Sequence, residues 1–239
     1  MALPPLEVVV AHARRPARVG RSRFQFPDPR EADADGLLAT GGDLEPSTLL
    51  AAYRQGVFPW PVDGIDLVWW SPDPRAVLPP HGLHVSRSLA RTLRRGRFRV
   101  TIDAAFDDVM AGCAERRGED DDTWITPGIC KAYAQLHRLG WAHSVEVWEH
   151  GALAGGLYGV SVGALFAAES MFHRATDASK VALVALAQHA RAVGVQLVDV
   201  QMPTPHLTSM GAVTITREKY LRALVRAVAC PVDFTGGQP

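Results

Sequence analysis

The sequence contains few cysteines, few lysines and no long hydrophobic run. Its three cysteines, Cys113, Cys130 and Cys230, are widely and irregularly spaced, which fits neither a disulfide framework nor a zinc site. No stretch approaches the roughly 20 apolar residues of a membrane-spanning helix. The apolar run at 8–11 is too short for a signal peptide and follows no basic residue. We therefore expect a protein of a reducing compartment, the cytoplasm, with no membrane partner.

Motifs of several enzyme classes are missing as well. The nine histidines show neither HExxH nor another paired metal-ligand spacing, so the sequence predicts no metal site. No Walker-type phosphate loop is present. Acetyl-CoA N-acetyltransferases bind pyrophosphate on a glycine-containing loop before a helix, whereas the nearest string here, at 191–196, ends differently and follows a predicted helix. The sequence therefore argues against an acetyl-CoA site.

Charges of the two signs are equal in number and unevenly distributed. The chain has 25 basic and 25 acidic residues, and its only lysines are Lys131, Lys180 and Lys219. No acidic residue lies between Asp73 and Asp103. That interval contains Arg75, Arg87, Arg91, Arg94, Arg95, Arg97 and Arg99. A second cluster consists of Arg14, Arg15, Arg18, Arg21 and Arg23. The neutral total conceals local basic segments, which are either solvated surface or sites for phosphate groups.

Composition and pattern divide the chain into three parts. Residues 1–23 are rich in Arg, Ala and Pro, and we expect a loosely ordered basic tail. Residues 24–73 are dense in Pro, Gly and aromatic residues, which indicates a small N-terminal domain. Residues 74–239 alternate helical and strand patterns. The sequence therefore predicts an α+β protein in which a small N-terminal domain precedes a mixed α/β domain.

Capping and turn residues place the elements. A short helix after Pro46 is expected to be capped by Ser47 and to end at Gly56. In the larger domain helices are predicted over 86–94, 106–115, 127–139 and 178–193. Asp177 is the expected cap of the last helix, and Gly194 its end. Strands are predicted over 98–102, 143–150, 152–162, 164–172 and 195–201, the middle three as an antiparallel meander. An acidic loop lies at 119–122.

Three polar side chains fall on otherwise apolar strands. Alternation puts Asp199 and Gln201 on one face of the strand 195–201. On another strand, Glu169 is predicted to share a face with Leu165, Ala167 and Met171. Polar groups of this kind either bond backbone groups at a strand end or open into a pocket where they handle a proton or an amine. If the two strands are neighbours, the carboxylates suit a cationic amine or guanidinium.

Aromatic and basic side chains supply a second set of candidates. Trp60 and Trp124 lie in turn contexts where a base could stack on an indole, although most tryptophans are core residues. Four arginines recur at helical spacing and share one helical face: Arg87, Arg91, Arg94 and Arg95. A purely basic face gains no intrahelical ion pairs, so phosphate binding would give it a purpose.

Ten segments stand out by their order and spacing. They are GLLATGGDL (36–44), GVFPWP (56–61), WWSPDPRAVL (69–78), HVSRSLARTLRR (84–95), TWITPGI (123–129), GLYGV (156–160), LFAAESMF (165–172), ASKVAL (178–183), LVDVQ (197–201) and HLTSMGA (206–212). Together they resemble the leucyl/phenylalanyl-tRNA–protein transferase family over about residues 24–226. WWSPDPRAVL and ESMF are the most specific of these strings.

The resemblance implies a fold and an activity. The family moves Leu, Phe or Met from aminoacyl-tRNA to the α-amine of proteins that begin with Arg or Lys, which marks them for N-end rule degradation. It implies a C-terminal domain of acetyltransferase-like (GNAT-like) fold after a small N-terminal domain. It implies neither a metal nor an organic cofactor, because the acyl donor is the 3′ end of a tRNA.

The resemblance also implies residue roles. The residues that match the polar reaction centre are Glu169, Asp199 and Gln201. Those that match the tryptophans holding the terminal adenosine of the tRNA are Trp60 and Trp124. The positions around the pocket for the amino-acid side chain are Leu157, Phe166, Met171, Leu186, Ala190 and Val198. The basic helix that meets the acceptor stem carries Arg87, Arg91, Arg94 and Arg95.

The chain departs from the family's pattern at three positions. Family members often have aromatic residues in place of Leu186 and Ala190, so the resemblance implies a roomier pocket here. Thr204 stands where an Asn often lies. Two other function classes stay open: a ligase that transfers amino acids from tRNA to cell-wall precursors, and a non-catalytic tRNA-binding module. The first typically carries a long heptad run, which this sequence lacks. The second leaves the polar residues on apolar strands unexplained.

Overall fold

The computed structural model describes residues 6–62, 67–79, 81–115 and 123–236. The predicted acidic loop at 119–122 lies outside these residues. The strands are β1 Val8–Val10, β2 Leu37–Thr40, β3 Phe58–Pro59, β4 Val68–Trp70, β5 Arg75–Leu78, β6 Arg99–Ile102, β7 Ala142–Glu149, β8 Ala152–Val162, β9 Leu165–His173, β10 Leu197–Gln201 and β11 Val213–Ile215. The helices are α1 Pro46–Gln55, α2 Arg87–Arg94, α3 Phe106–Ala114, α4 Pro127–Arg138, α5 Ala178–Val193, α6 Pro205–Ser209 and α7 Arg217–Ala229.

A large mixed sheet organises the chain. Its order is β1-β6-β7-β8-β9-β10-β5-β11, and a second, small antiparallel sheet has the order β2-β4-β3. The strands β7 to β9 form the antiparallel meander that the sequence predicts, and β6 adds to it antiparallel to β7. The strands β9 and β10 run parallel and are joined through α5, as a parallel pair requires. The expected mixture of helices and strands is confirmed at this level.

The helices cover both faces of the large sheet. On one face α1, α3, α4 and α7 contribute to a buried cluster that includes Leu49, Ile129, Leu165 and Leu224. On the other face α2 and α5 pack into a cluster that includes Leu93 and Leu186. Since α1 belongs to the first cluster, residues of the predicted N-terminal domain share a core with the large sheet.

Two predicted helix caps are wrong in detail. The helix α1 starts at Pro46 after Glu45, so Ser47 lies inside the first turn and does not cap it. Asp177 precedes α5 with a positive φ of 71°, and its carboxylate binds side chains of other residues instead of helix N–H groups. Both predicted helix ends are confirmed, because Gly56 and Gly194 adopt the left-handed conformation that glycine favours.

Part of the segment expected to be a loosely ordered tail forms a strand. Val8–Val10 pairs in parallel with β6 and so covers an otherwise unpaired edge of the sheet. The composition of residues 1–23 does not reveal this pairing, since the partner strand lies about 90 residues away. None of the described helices is both long and apolar enough to cross a membrane.

Candidate active site

A cavity of about 600 Å³ opens beside β9, β10 and the start of α5. The predicted site residues that line it are Trp60, Trp124, Glu169, Met171 and Gln201. The other lining residues are Ala168, Ser170, His173, Thr176, Asp177, Ser179, Lys180, Val200, Met202, Thr204, His206 and Leu207. The structure therefore brings together side chains from segments more than 100 residues apart.

A β-bulge in β9 aims Glu169 at this cavity. Ala168 and Ser170 pair with the consecutive residues Gly159 and Tyr158 of β8, so Glu169 is the extra residue. The bulge reverses the alternation after it. Met171 consequently packs with the buried cluster on the α5 side and not with Leu165 and Ala167, which corrects the predicted shared face.

The end of β10 is irregular as well. The register with β5 shifts between Asp199 and Gln201, and Gln201 has a φ of +56°, a conformation uncommon for a residue other than glycine. The backbone N–H of Gln201 donates to Oδ1 of Asp199 at 3.0 Å. Its side-chain Nε2 donates to Oε1 of Glu169 at 3.1 Å. The backbone N–H and the side-chain amide of Gln201 are thus each hydrogen-bonded to a carboxyl group.

Asp199 is held in a buried ion pair with Arg75. Nε and Nη2 of Arg75 donate to the two carboxylate oxygens at 2.9 and 2.6 Å, and the Tyr220 hydroxyl donates to Oδ2 at 2.8 Å. The side chains of Arg75 and Asp199 are each 1% exposed. Burial alone would lower the pKa of Arg75, and the charge of Asp199 raises it overall. Glu169 and Gln201 line the cavity, whereas Asp199 is not among the described residues that line it.

Glu169 faces a pair of buried tyrosines. The Tyr133 hydroxyl donates to Oε2 of Glu169 at 3.3 Å and is hydrogen-bonded to the Tyr53 hydroxyl. Burial raises the pKa of Glu169 to about 8, because the negative form loses hydration. Burial also raises the pKa of both tyrosines. At neutral pH this group of three side chains is therefore largely uncharged.

Two tryptophans from distant segments also line the cavity. The indoles of Trp60 and Trp124 stack at a centroid distance of 4.9 Å with an interplanar angle of 18°. The backbone of Trp60 is fixed by bonds to Val68 and to the indole of Trp70, each 3.0 Å long. Trp124 lies just before Thr126, which caps α4. The lining of one cavity thus contains a stacked aromatic pair together with the polar pair of Glu169 and Gln201.

The six residues predicted for an amino-acid pocket lie in one buried cluster on the α5 side of the sheet: Leu157, Phe166, Met171, Leu186, Ala190 and Val198. Only Met171 among them reaches the cavity; the other five are at most 1% exposed and lie behind its wall. Apolar side chains that do line the cavity include Ala168, Val200 and Leu207. Ala168 and Val200 lie on the irregular strands β9 and β10 and Leu207 lies on α6, so strand alternation does not single them out.

The four predicted phosphate-binding arginines lie on the solvent side of α2. Arg87, Arg91, Arg94 and Arg95 are exposed, and none has an ion pair with another described residue. Leu89 and Leu93 anchor the helix to the buried cluster below. Thr92 donates to Oδ2 of Asp177 at 2.9 Å, which ties α2 to the cavity rim.

Other polar residues near the site have structural roles. The Thr204 hydroxyl accepts from the N–H of Leu207 at 3.1 Å and so caps α6 from the cavity edge.

The string GVSVG at 159–163 has the spacing of a hydrolase nucleophile motif, which needs a serine on a strand-to-helix turn. Ser161 instead lies buried within β8, and its N–H donates a hydrogen bond to the carbonyl of Trp141.

Two family models match the chain. One, described as leucyl/phenylalanyl-tRNA protein transferase, matches residues 77–225. The other describes the N-terminal domain of that transferase and matches residues 42–73. The chain belongs to the leucyl/phenylalanyl-tRNA–protein transferase family. It is accordingly an enzyme, an aminoacyltransferase, as the resemblance implies.

Curated relatives that carry the family's name match most of the chain. One from Anaeromyxobacter sp. (strain K) is 57% identical over 207 residues, which cover 86% of this chain and 89% of the relative. One from Stutzerimonas stutzeri (strain A1501) is 55% identical over 206 residues, 85% of this chain and 91% of the relative. One from Edwardsiella ictaluri (strain 93-146) is 52% identical over 210 residues, which cover 87% of this chain and 86% of the relative.

A solved structure shows only a distant likeness. It is described as the C-terminal domain (DUF2156) of a putative lysylphosphatidylglycerol synthetase from Agrobacterium fabrum. The TM-score is 0.38 at 12% identity, over 69% of this chain and 55% of that chain. This similarity is too low to support an argument about the fold of the transferase.

Proposed function

We propose that the enzyme moves Leu, Phe or Met from charged tRNA to the α-amine of proteins that begin with Arg or Lys, and so marks them for N-end rule degradation. The observation that carries this proposal is one cavity that is lined both by a stacked indole pair and by the hydrogen-bonded pair of Glu169 and Gln201. We also propose an acetyltransferase-like fold for the larger domain and a cytoplasmic location.

The donor binds at the indole pair in this proposal. Trp60 and Trp124 hold the terminal adenosine by stacking, which is worth about 1–3 kcal/mol per base. The amino-acid side chain lies against the apolar wall at Met171, backed by the buried cluster. Because an apolar pocket separates similar side chains by only about 1–3 kcal/mol, one site accepts Leu, Phe and Met.

The reaction needs little covalent chemistry from the protein, since an aminoacyl ester is already activated. The acceptor nitrogen attacks the ester carbonyl, a C–N bond forms and the C–O bond to the ribose breaks. The amine loses a proton and the ribose oxygen gains one. In its ionised form Glu169 is placed at the cavity to accept the amine proton, and the Gln201 side chain to orient the amine. Asp199 acts through Gln201 as a positioning residue, because it is buried behind the cavity and holds the N–H of Gln201.

A transfer assay tests the proposal against the two other function classes. Radiolabelled Leu-tRNA or Phe-tRNA is offered to one peptide that begins with Arg and to its counterpart that begins with Ala. Label in the Arg peptide alone is the expected result. Transfer to a cell-wall precursor instead would favour the ligase, and tRNA binding without any transfer would favour a binding module.

Replacing Trp124 with alanine should raise the KM for Phe-tRNA by about 10- to 100-fold, because one stacking surface of about 1–3 kcal/mol is lost. Steady-state transfer to the Arg peptide measures this. Trp124→Phe is the matched control, since it keeps an aromatic face and should lose much less. Equal losses in the two variants would contradict stacking as the role of this residue.

The arginines of α2 should contact the acceptor stem without reading its sequence. Arg94→Ala and Arg95→Ala are each expected to weaken binding of every charged tRNA alike and to reduce the salt dependence of binding by about one unit of slope. Filter binding at several KCl concentrations measures both effects. The exposed Arg191 near the end of α5 provides the control substitution. A loss confined to one tRNA would argue against this assignment.

A further inference from the structure

The proposed function leaves the N-terminal arginine cluster without a role. We call residues 12–23 the arginine strap. Hydrogen bonds fix the strap at Ala17, whose N–H donates to the carbonyl of Leu139 at 2.8 Å and whose carbonyl accepts from the indole of Trp141 at 2.9 Å. A second bond joins the hydroxyls of Ser22 and Thr48 at 2.9 Å. Both family models begin after the strap.

The strap presents its arginines outward. Val19 packs against the buried cluster that contains α1 and α4, whereas Arg18, Arg21 and Arg23 are exposed. None of these three arginines has an ion pair with another residue in the described ranges. Because these three guanidinium groups have no counter-charge within ion-pair distance among the described residues, they are available to an anionic partner. Such a partner would bind at low entropic cost, because the backbone is already ordered.

A groove of about 460 Å³ is lined by arginines of two kinds. Arg30 and Arg222 are already paired with Asp28 and Glu218, whereas Arg54 and Arg226 have no ion pair with another described residue. Arg54 lies in the groove and places its guanidinium 5.5 Å from the ring centre of Trp141, the residue that binds the strap. Arg226 lines the same groove, and so does Val225, which is 70% exposed. Burial lowers the pKa of Arg54, which means that its charge is incompletely hydrated and would gain from a counter-charge.

We propose that the arginine strap and this groove form a second RNA-binding surface, which contacts phosphate groups of the donor tRNA that α2 does not reach. The choice of tRNA as the RNA rests on the proposed function. The helix α4 leads from beside Trp124 to Leu139, and its 12 residues span about 18 Å. A stem whose 3′ end enters the cavity is long enough to cover that distance.

The strap and α2 serve different phosphates. Val19 packs on one face of the large sheet, and Leu89 of α2 packs on the other. A straight RNA stem that lies along one face of the sheet therefore cannot contact both basic surfaces. Their contributions to the salt slope of tRNA binding should add, because each surface neutralises its own phosphate groups and releases its own counterions.

The test is the salt dependence of tRNA binding by the triple variant Arg18→Gln, Arg21→Gln and Arg23→Gln. Each lost phosphate contact lowers the slope of log K against log salt by about 0.7–0.9, so we expect a decrease of about two to three. Affinity for uncharged tRNA at 0.1 M KCl should fall at least tenfold. Arg18→Gln alone should lower the slope by about one, and the matched control Arg191→Gln should leave it unchanged.

Further arms separate the possible failures. An unchanged slope in the triple variant overturns the proposal. Binding of poly-glutamate, an acidic polypeptide, is measured in parallel. If the triple variant loses poly-glutamate binding and keeps tRNA binding, the proposal is overturned and an acidic protein is identified as the occupant. A minimal donor, phenylalanyl-adenosine, has no stem, so the triple variant should use it with unchanged kcat/KM. If the wild type transfers from neither donor, the proposed function fails, while the salt slope still decides whether the strap binds RNA.

Discussion

Replacing Arg75 with methionine is expected to lower the free energy of unfolding by about 3–5 kcal/mol, the range found when one partner of a buried ion pair is removed. The substitution leaves the charge of Asp199 buried with only a hydroxyl and an N–H as donors. Urea denaturation monitored by circular dichroism measures the loss. The matched control is Arg97→Met, which breaks an ion pair with Glu149 at the surface and should change stability little.

The double variant Arg75→Met with Asp199→Leu separates folding from catalysis. Apolar residues of similar volume replace a buried ion pair at little or no cost, so the double variant should recover most of the lost stability. It should not recover transfer, because the N–H of Gln201 has lost its acceptor and the amide is no longer fixed. A stable double variant with wild-type kcat would contradict the positioning role of Asp199.

Glu169→Gln is expected to lower kcat for transfer by about 100-fold at pH 9 and by far less at pH 6.5. With its pKa raised to about 8 by burial, the wild-type carboxyl is mostly ionised at the higher pH and only a few per cent ionised at the lower. The ratio of wild-type to variant rates at each pH cancels the ionisation of the acceptor amine. That ratio should rise with pH and level off above pH 8. A constant ratio would show that the carboxylate form is not required.

The same substitution is expected to raise the stability of the fold at the pH where it lowers transfer. Measuring stability therefore shows whether a loss of activity comes from unfolding. A carboxyl whose pKa rises from 4.5 to about 8 on folding favours the folded state fully below pH 4.5, and this contribution is lost as the pH rises through 8. Glu169→Gln should therefore be stabilising relative to the wild type at pH 9, the pH at which its transfer rate is furthest below that of the wild type. We also propose that the Glu169 carboxylate favours an acceptor with a basic first residue, so the preference of the variant for an Arg over an Ala acceptor should fall. Retention of the full preference would contradict the role of Glu169 in acceptor choice.

Local patterns in the sequence predict most elements of the large sheet and the chemistry of Glu169 and Gln201. They fail where a strand is irregular. The bulge at Glu169 inserts one residue into β9, and a period-two pattern cannot anticipate which residue is extra. For that reason alternation assigned Met171 to the wrong face, and the bulge is what lets Met171 join the cluster of Phe166.

Partners distant in sequence are the second limit. In the sequence Arg75 is one of seven arginines in an acid-free interval and reads as a surface residue. In the structure its partner Asp199 lies 124 positions away, which no local pattern encodes. Tyr53 and Tyr133 likewise reach Glu169 from two helices that are 80 residues apart. Their helical positions predict burial and give no sign of the carboxyl that they contact.

The stacked indoles of Trp60 and Trp124 provide an optical signal of occupancy. Two indoles at 4.9 Å are close enough for their electronic transitions to couple. An adenine that enters between them must part the rings and abolish that coupling, whereas one that stacks on an outer face leaves the pair intact. Near-ultraviolet circular dichroism can thus follow donor entry without any chemical step, and can tell the two modes of entry apart.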